Sequence, residues 1–233
     1  MHASVYTSLL DVLSPRHCVG CHSRLLQRDS VLCPSCMEHL SLVCFPPPFV
    51  DNPMARLFWG LVPVERAAAL FVYEPSTLSA ALVHSFKYFG RGDVAEQLGR
   101  LLARRLSREG FFEGIDAIVP VPLTRSRRRQ RGYNQSELIA QGIGSVVGRP
   151  VYHRMLRRTS FQDSQTRQNI YARRENVAGA FCLNGNQQLL EDRHVLLVDD
   201  VVTTGSTLTA CATALLAIPG IKISIVTLGY ANN

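Results

Sequence analysis

The sequence has little of what marks membrane, fibrous or secreted proteins. Its 233 residues contain no run of 18 apolar residues, so no membrane span is expected. The N-terminus lacks a basic start followed by an uninterrupted apolar core, so no typical secretory leader is expected. No internal repeat or low-complexity tract occurs, and 46% apolar with 18% charged residues is near the globular average. We therefore expect a folded, cytoplasmic protein.

Acidic residues are in the minority. The chain has 25 Lys and Arg against 18 Asp and Glu, a formal net charge of +7. Such a surplus favours phosphate-bearing partners, among them nucleotides, nucleic acid and anionic lipid. A regulator that reads duplex DNA is disfavoured, because no helix-turn-helix pattern accompanies the charge.

The seven cysteines are an odd number, which suits a disulfide framework poorly. Four of them form two pairs, Cys18 with Cys21 and Cys33 with Cys36, in the spacing C-x2-C-x11-C-x2-C. Two such turns present four thiolates, the ligand set of a closed tetrahedral zinc site. A segment this small lacks a sufficient core, so the metal would contribute on the order of 10 kcal/mol to its folding. We predict structural zinc, with iron in a rubredoxin-like site as the alternative.

The order of predicted elements indicates an α/β fold. Four prolines in residues 45–53 mark a boundary between a cysteine module with its linker, residues 1–50, and a main domain, residues 51–233. Apolar runs predict strands over residues 66–74, 115–122, 151–156, 195–199 and 222–230. Helices are predicted over residues 76–89, 93–107, 134–147 and 205–218, the third starting at an Asn134 and Glu137 capping box. This alternation predicts a parallel sheet covered on both faces.

The most informative stretch is VLLVDDVVTTGSTL, residues 195–208. Ligands bind beyond the carboxyl ends of parallel strands, which is where Asp199 and Asp200 would lie. Carboxylates accept hydrogen bonds from the vicinal hydroxyls of a ribose. The loop that follows suits a phosphate through its amides, its hydroxyls and the helix dipole. It comprises Thr203, Thr204, Gly205, Ser206 and Thr207. A simple helix cap would explain one acid but not two adjacent ones.

A dense arginine segment follows the predicted strand 115–122. It predicts an anion or nucleic-acid surface made of Arg125, Arg127, Arg128, Arg129, Arg131 and Tyr133. Guanidinium groups with one aromatic ring suit a nucleic-acid backbone with a stacked base, or the diphosphate of a small ligand. A solvated loop is the alternative. Lys87, Tyr88 and Arg91, in a helix-turn, would add to either site or be ordinary surface residues.

These motifs together resemble a known family. Residues 195–208 resemble the phosphoribosyl-diphosphate signature of type I phosphoribosyltransferases. With the four cysteines, HSFKYFGRGD at 84–93, VPVPL at 119–123 and RRRQRGYNQSEL at 127–138, the chain resembles the ComF family of competence proteins, including its GntX-like members. The resemblance implies a type I phosphoribosyltransferase-like domain with a small N-terminal zinc-ribbon-like module.

The resemblance also implies a function. Asp199 and Asp200 would bind the ribose hydroxyls and serve in catalysis, with the diphosphate near the turn after residues 118–120 and Mg²⁺ held by ligand oxygens. Residues 159–168 correspond to a loop that closes such sites, although Gln165 stands where relatives usually have leucine. The implied role is the uptake or use of external DNA, with phosphoribosyl diphosphate or a nucleotide, single-stranded DNA and DNA-uptake proteins as partners. The alternative is a non-catalytic single-stranded DNA-binding protein or regulator that reuses the fold.

Overall fold

The computed structural model describes residues 16–25, 31–159 and 180–231. Its centre is a parallel sheet in the order β1-β6-β5-β2. These strands are β1 (Ala67–Val72), β2 (Ala117–Pro120), β5 (His194–Val202) and β6 (Lys222–Tyr230). A separate antiparallel pair consists of β3 (Leu156–Arg158) and β4 (Phe181–Leu183). The predicted α/β class with a parallel sheet is confirmed.

Helices cover both faces of the sheet. In chain order they are α1 (Pro34–Glu38), α2 (Pro53–Arg56), α3 (Leu78–Tyr88), α4 (Gly92–Ser107), α5 (Arg125–Arg131), α6 (Gln135–Val147) and α7 (Ser206–Leu215), with a 3-10 turn at Gln187–Leu190. Among the described residues, every helix is too short or too polar to cross a bilayer.

The central strand β5 is apolar on both sides because each side faces a different core. Leu196 and Val198 belong to the hydrophobic cluster that also contains side chains of α3, α4 and α6. Val195 and Leu197 belong to a second cluster, which contains side chains of α7. The continuous apolar run that predicted this strand is therefore what a parallel sheet with two covered faces requires.

The predicted strand over residues 151–156 is wrong. Val151 makes only an isolated bridge to Ile118, and the amide of Met155 hydrogen-bonds to the carbonyl of Tyr152 in a turn. The apolar residues of this stretch therefore belong to a turn, and Leu156 begins the short β3 instead. The other predicted strands and helices are found at close to their predicted bounds, and β5 continues to Val202, beyond the predicted residue 199. The predicted closing loop lies outside the described residues, apart from residue 159.

The cysteine segment packs directly on the main domain. Cys18, Leu32 and Leu40 lie in the same hydrophobic cluster as Phe86 of α3. The linker that follows runs beside the edge strand β1, where the amide of Val43 donates to the carbonyl of Leu70 at 3.0 Å. A domain boundary near residue 50 stays a prediction. The segments on its two sides contribute to one hydrophobic cluster.

Candidate functional site

The two acids near the end of β5 are held by side chains from other elements. Ser136 Oγ, in the first turn of α6, donates to Asp199 Oδ1 at 2.9 Å. Lys87 Nζ, from the last turn of α3, donates to Asp200 Oδ1 at 2.9 Å. The backbone amide of Asp200 also donates to Asp199 Oδ1. Within the described residues these bonds fall on Oδ1 of each carboxylate, so both Oδ2 atoms remain able to accept from a ligand.

The environment of Asp199 brings its pKa close to neutral pH. Burial, and after it the adjacent Asp200 carboxylate, together raise the pKa of Asp199 to about 7, against the lowering effect of the hydrogen bonds from Asp200 and Ser136. The pKa of a carboxyl group rises when its charged form loses solvation or faces a like charge. Asp199 therefore exchanges its proton near neutral pH, while Asp200 is paired with an ammonium group.

The predicted phosphate loop forms an open cleft beside the acid pair. The cleft has an empty volume of about 220 Å³ and is lined by Asp199 and residues 201–208. Gly205 occupies the N-cap of α7 with a φ of 74°, in the left-handed region. A side chain at this position would come within 3.1 Å of Phe58 Cε1. Because glycine offers no capping side chain, the first-turn amides of α7 remain available to an anion.

The arginine segment is a helix and not a loop. Helix α5 begins five residues after β2, and Thr124 Oγ1 accepts from the amide of Arg127 at 3.3 Å to cap it. Gly132 ends it with a φ of 81°. Since β2 and β5 are parallel neighbours, their carboxyl ends meet at one edge, and α5 starts at the edge that carries the acid pair.

Most of the predicted anion-binding arginines are exposed on α5, namely Arg125, Arg127, Arg128 and Arg129. Arg128 pairs with Glu137 at 3.4 Å, whereas Arg131 Nη1 donates to Gln135 Oε1 at 3.0 Å. The Arg131 guanidinium also lies 5.5 Å from the ring centroid of Tyr88. The surface arginines are therefore presented to solvent, and Arg131 connects the helix to α3.

Tyr133, the aromatic residue predicted for this surface, has a structural contact. Its hydroxyl donates to the carbonyl of Phe86 at 2.6 Å, and its side chain is half-buried. Burial raises the pKa of Tyr133. The more exposed aromatic ring beside the arginines is Tyr88, at 64% exposure.

Two residues of the site were missed or undervalued from the sequence. Ser136 carried no signal of its own, because a serine after an asparagine cap is common in helix first turns. Lys87 lies 113 residues from its partner Asp200 in the sequence. The only signal for a partly buried ion pair was a lysine between the aromatic residues of HSFKYF. Contacts between distant elements decide both roles, and local pattern does not encode them.

The four predicted zinc ligands come together. The Sγ atoms of Cys18, Cys21, Cys33 and Cys36 all lie within 4.8 Å of one another, and those of Cys21 and Cys33 are 3.6 Å apart. A tetrahedron with zinc–sulfur bonds of about 2.3 Å has edges of about 3.8 Å. The amide of Cys33 donates to the sulfur of Cys18 at 3.3 Å, a contact that favours a thiolate. The cluster is compatible with a structural zinc ion.

The chain is similar in sequence to proteins of a known family. Residues 94–232, more than half of the chain, match the Phosphoribosyl transferase domain. The chain is 31% identical to the DNA utilization protein YhgH of Escherichia coli O157:H7 over 197 residues, covering 83% of this chain and 82% of that protein. It is 35% identical to Competence protein F of Haemophilus influenzae over 130 residues, covering 54% and 57%. The chain belongs to the ComF family of phosphoribosyltransferase-like proteins.

The ComF-type chain also aligns with solved phosphoribosyltransferases at low similarity. Adenine phosphoribosyltransferase from Leishmania tarentolae aligns over 82% of this chain and 94% of its own, with 11% identity and a TM-score of 0.39.

The match to the phosphoribosyl transferase family begins at residue 94. It therefore contains the acid pair, the phosphate loop and the arginine helix, whereas the cysteines and Lys87 precede it.

Proposed function

We propose that the cleft binds a 5′-phosphorylated ribose, either phosphoribosyl diphosphate or a nucleotide. The observation that carries this proposal is the pairing, at one strand end, of two anchored carboxylates with an uncapped helix N-terminus. The carboxylates Asp199 and Asp200 would accept from the ribose hydroxyls. The loop residues Thr203 to Thr207 and the first turn of α7 would receive the 5′-phosphate.

The remaining anionic part of the ligand has a place at the same edge. A diphosphate on the anomeric carbon would lie near the turn between β2 and α5, where arginines begin. Among the described residues, only the four cysteines bring three or more potential metal ligands together, and Asp200 is already paired with Lys87. Mg²⁺ would therefore be held mainly by oxygens of the ligand.

The arrangement suits a transfer reaction. In such a reaction the bond from C1′ to the diphosphate oxygen breaks, the diphosphate leaves with the electron pair, and an acceptor nitrogen supplies a new pair to C1′. Carboxylates beside the ribose would stabilise the positive charge that develops on the ring, and cations would stabilise the departing diphosphate. The described residues include no recognisable set of side chains that would bind one particular acceptor base. Ligand binding is therefore the part of the proposal tested first.

The cellular role we propose is the uptake or use of external DNA in the cytoplasm. It is supported by the relatives named for DNA utilization and competence, and by the positive charge of α5. DNA-uptake proteins are the expected protein partners. The metal-binding thiols of the cysteine cluster are typical of a reducing compartment.

A second candidate function is single-stranded DNA binding without catalysis. It is favoured by Arg125, Arg127 and Arg129, whose side chains are exposed and make no hydrogen bond or ion pair with another described residue. A phosphate backbone would neutralise them. The two functions are compatible, because the cleft and the arginine helix lie side by side.

Calorimetric titration with phosphoribosyl diphosphate and Mg²⁺ tests the proposed ligand. The wild type should bind saturably, and the double variant Asp199→Asn with Asp200→Asn should bind at least about 100-fold more weakly, because two charge-assisted hydrogen bonds are lost. Glu191→Gln is the control, an exposed acid beside the opposite end of β5. Absence of wild-type binding would reject the phosphoribosyl ligand, and equal binding by all variants would reject the acid pair as its site.

We also propose that the four cysteines bind one structural zinc ion in an N-terminal module of residues 1–50. Native mass spectrometry of the purified protein should show one zinc per chain, and Cys33→Ser should lose it together with much of the folding stability. Cys44→Ser is a matched control, because this exposed cysteine lies outside the cluster. A metal-free wild type that unfolds at the same temperature with and without added zinc would reject this role.

A further inference from the structure

Two adjacent aromatic side chains at the end of α3 are largely exposed. Tyr88 is 64% and Phe89 is 76% exposed, more than any other large apolar side chain in the described part of the chain. Single exposed apolar residues are common on protein surfaces, but two neighbouring rings beside a binding cleft need a reason. Their exposure excludes a role in core packing.

Tyr88 lies between the acid pair and the arginine helix, and Phe89 follows it in the chain. Lys87, the preceding residue, contacts Asp200 at 2.9 Å, which connects the end of α3 to the cleft. On the other side, the guanidinium of Arg131 lies over the ring of Tyr88 at 5.5 Å from its centroid. Tyr88 also contacts the ring of His84 edge-to-face at 5.5 Å. The exposed ring of Tyr88 is therefore close to both the cleft and α5, and the exposed ring of Phe89 is its neighbour in the chain.

This combination matches the chemistry of an unpaired nucleic-acid strand. Exposed rings can stack on the face of a base only when that face is not covered by pairing and stacking within a duplex. Guanidinium groups beside the rings neutralise phosphates, and they add cation–π attraction to a stacked base. A duplex would offer its phosphates to the arginines but no base faces to the rings.

We propose that Tyr88 and Phe89 stack unpaired bases of single-stranded DNA whose phosphates contact Arg125, Arg127 and Arg129. This inference rests on the DNA role given under Proposed function. It assigns base stacking to the end of α3. From the sequence, the stacking residue was predicted to be Tyr133, which follows α5. The DNA strand would thus pass along α5 and reach the edge of the cleft proposed for the ribose and the 5′-phosphate.

The test compares two fluorescent strands of equal length and charge, an oligothymidine and an abasic strand, by anisotropy at fixed salt. The wild type should bind the oligothymidine about tenfold more tightly, because base–aromatic stacking accompanies the shared phosphate contacts. The double variant Tyr88→Leu with Phe89→Leu should lose this preference and still bind the abasic strand like the wild type. Tyr88→Phe should retain most of the preference.

Trp59→Leu is the matched control, because Trp59 is 57% exposed and also has an arginine, Arg56, over its ring at 5.6 Å. It should keep the base preference. Equal wild-type affinity for the two strands, or an unchanged preference in the leucine variant, would overturn the stacking proposal alone. A wild type that binds neither strand would overturn the DNA role on which it rests, whatever the outcome of the phosphoribosyl diphosphate titration.

Discussion

The acid pair and the arginine helix lie at the same edge of the sheet, but the chain holds them differently. The Lys87–Asp200 ion pair at the cleft is nearly buried, with side chains 18% and 13% exposed. The Arg128–Glu137 pair of the arginine helix has its arginine 60% exposed and a distance of 3.4 Å. One region is fixed by contacts between distant elements, whereas the other projects side chains into solvent.

The two regions are therefore suited to different kinds of ligand. Groups fixed before a ligand arrives lose little conformational freedom on binding, which favours recognition of one small molecule of defined shape. Exposed arginines keep their rotamer freedom and can follow a polymer with variable geometry.

The largest effect concerns the pH dependence of stability at the acid pair. Burial raises the pKa of Asp199 from 3.8 to about 7, so the folded protein keeps a proton that the unfolded chain loses above pH 4. The free energy of unfolding should therefore fall as pH rises from about 4 to about 7, by up to a few kcal/mol. Asp199→Asn should remove this slope, as denaturant unfolding at a series of pH values would measure. Identical profiles for both proteins would mean that Asp199 titrates like a solvated acid.

The second effect is the loss of folding stability when the cation of each ion pair is removed. Lys87→Met leaves Asp200 nearly buried without its partner and should lower the free energy of unfolding by about 2 kcal/mol at neutral pH. Arg128→Met should change it by less than about 0.5 kcal/mol, because Arg128 is 60% exposed and lies 3.4 Å from Glu137. Adding Asp200→Asn to Lys87→Met should recover part of the loss. Equal effects of the two single variants in chemical denaturation would contradict the contrast.

The third effect concerns the backbone of the phosphate loop. Gly205→Ala should destabilise the protein by about 1 kcal/mol, because alanine is strained at positive φ. Phosphoribosyl diphosphate should also bind more weakly, because the new methyl group would lie 3.1 Å from Phe58 Cε1 and would displace the loop. Gly148→Ala is the matched control, with a φ of 68° and no atom within 4 Å of the added carbon. It should lose similar stability and keep ligand affinity; a shared loss of affinity would show a general effect of strain.

The smallest effect on folding is expected in the arginine helix. Replacing Arg125, Arg127 and Arg129 by glutamine should change the free energy of unfolding by less than about 0.5 kcal/mol. It should nevertheless reduce the salt dependence of single-stranded DNA binding by about 2 in the slope of log affinity against log salt, or about 0.7 per phosphate contact. Anisotropy titrations at several salt concentrations would measure the slope. An unchanged slope would mean that DNA phosphates lie elsewhere.

Much of the fold followed from local pattern. The apolar run of β5, the helix start at Asn134 and the glycine at position 205 each impose a local geometry that the sequence encodes directly. The acid pair and the phosphate loop were predicted together because consecutive residues build them. The four cysteines were predicted to form one cluster for the same reason, because each pair is built from residues close together in the sequence.

Features that depend on contacts between distant elements were harder to predict. Residues 151–156 looked like a strand because apolar residues alone do not distinguish a strand from a turn that packs on the core. Lys87 and Ser136 reach the acids through the packing of α3 and α6 on the sheet, which periodicity does not encode. The exposed ring of Tyr88 and the half-buried ring of Tyr133 differ only through tertiary contacts.

A crystal structure of the protein with phosphoribosyl diphosphate and Mg²⁺ would show whether the cleft binds the ligand as proposed, because it locates both ends of the ligand. The 5′-phosphate should lie on the amides of residues 204–207, with the ribose hydroxyls on Asp199 and Asp200 and the diphosphate toward the turn before α5. A ligand bound by its phosphates along the arginine helix, with no ribose contact to the acid pair, would contradict the account.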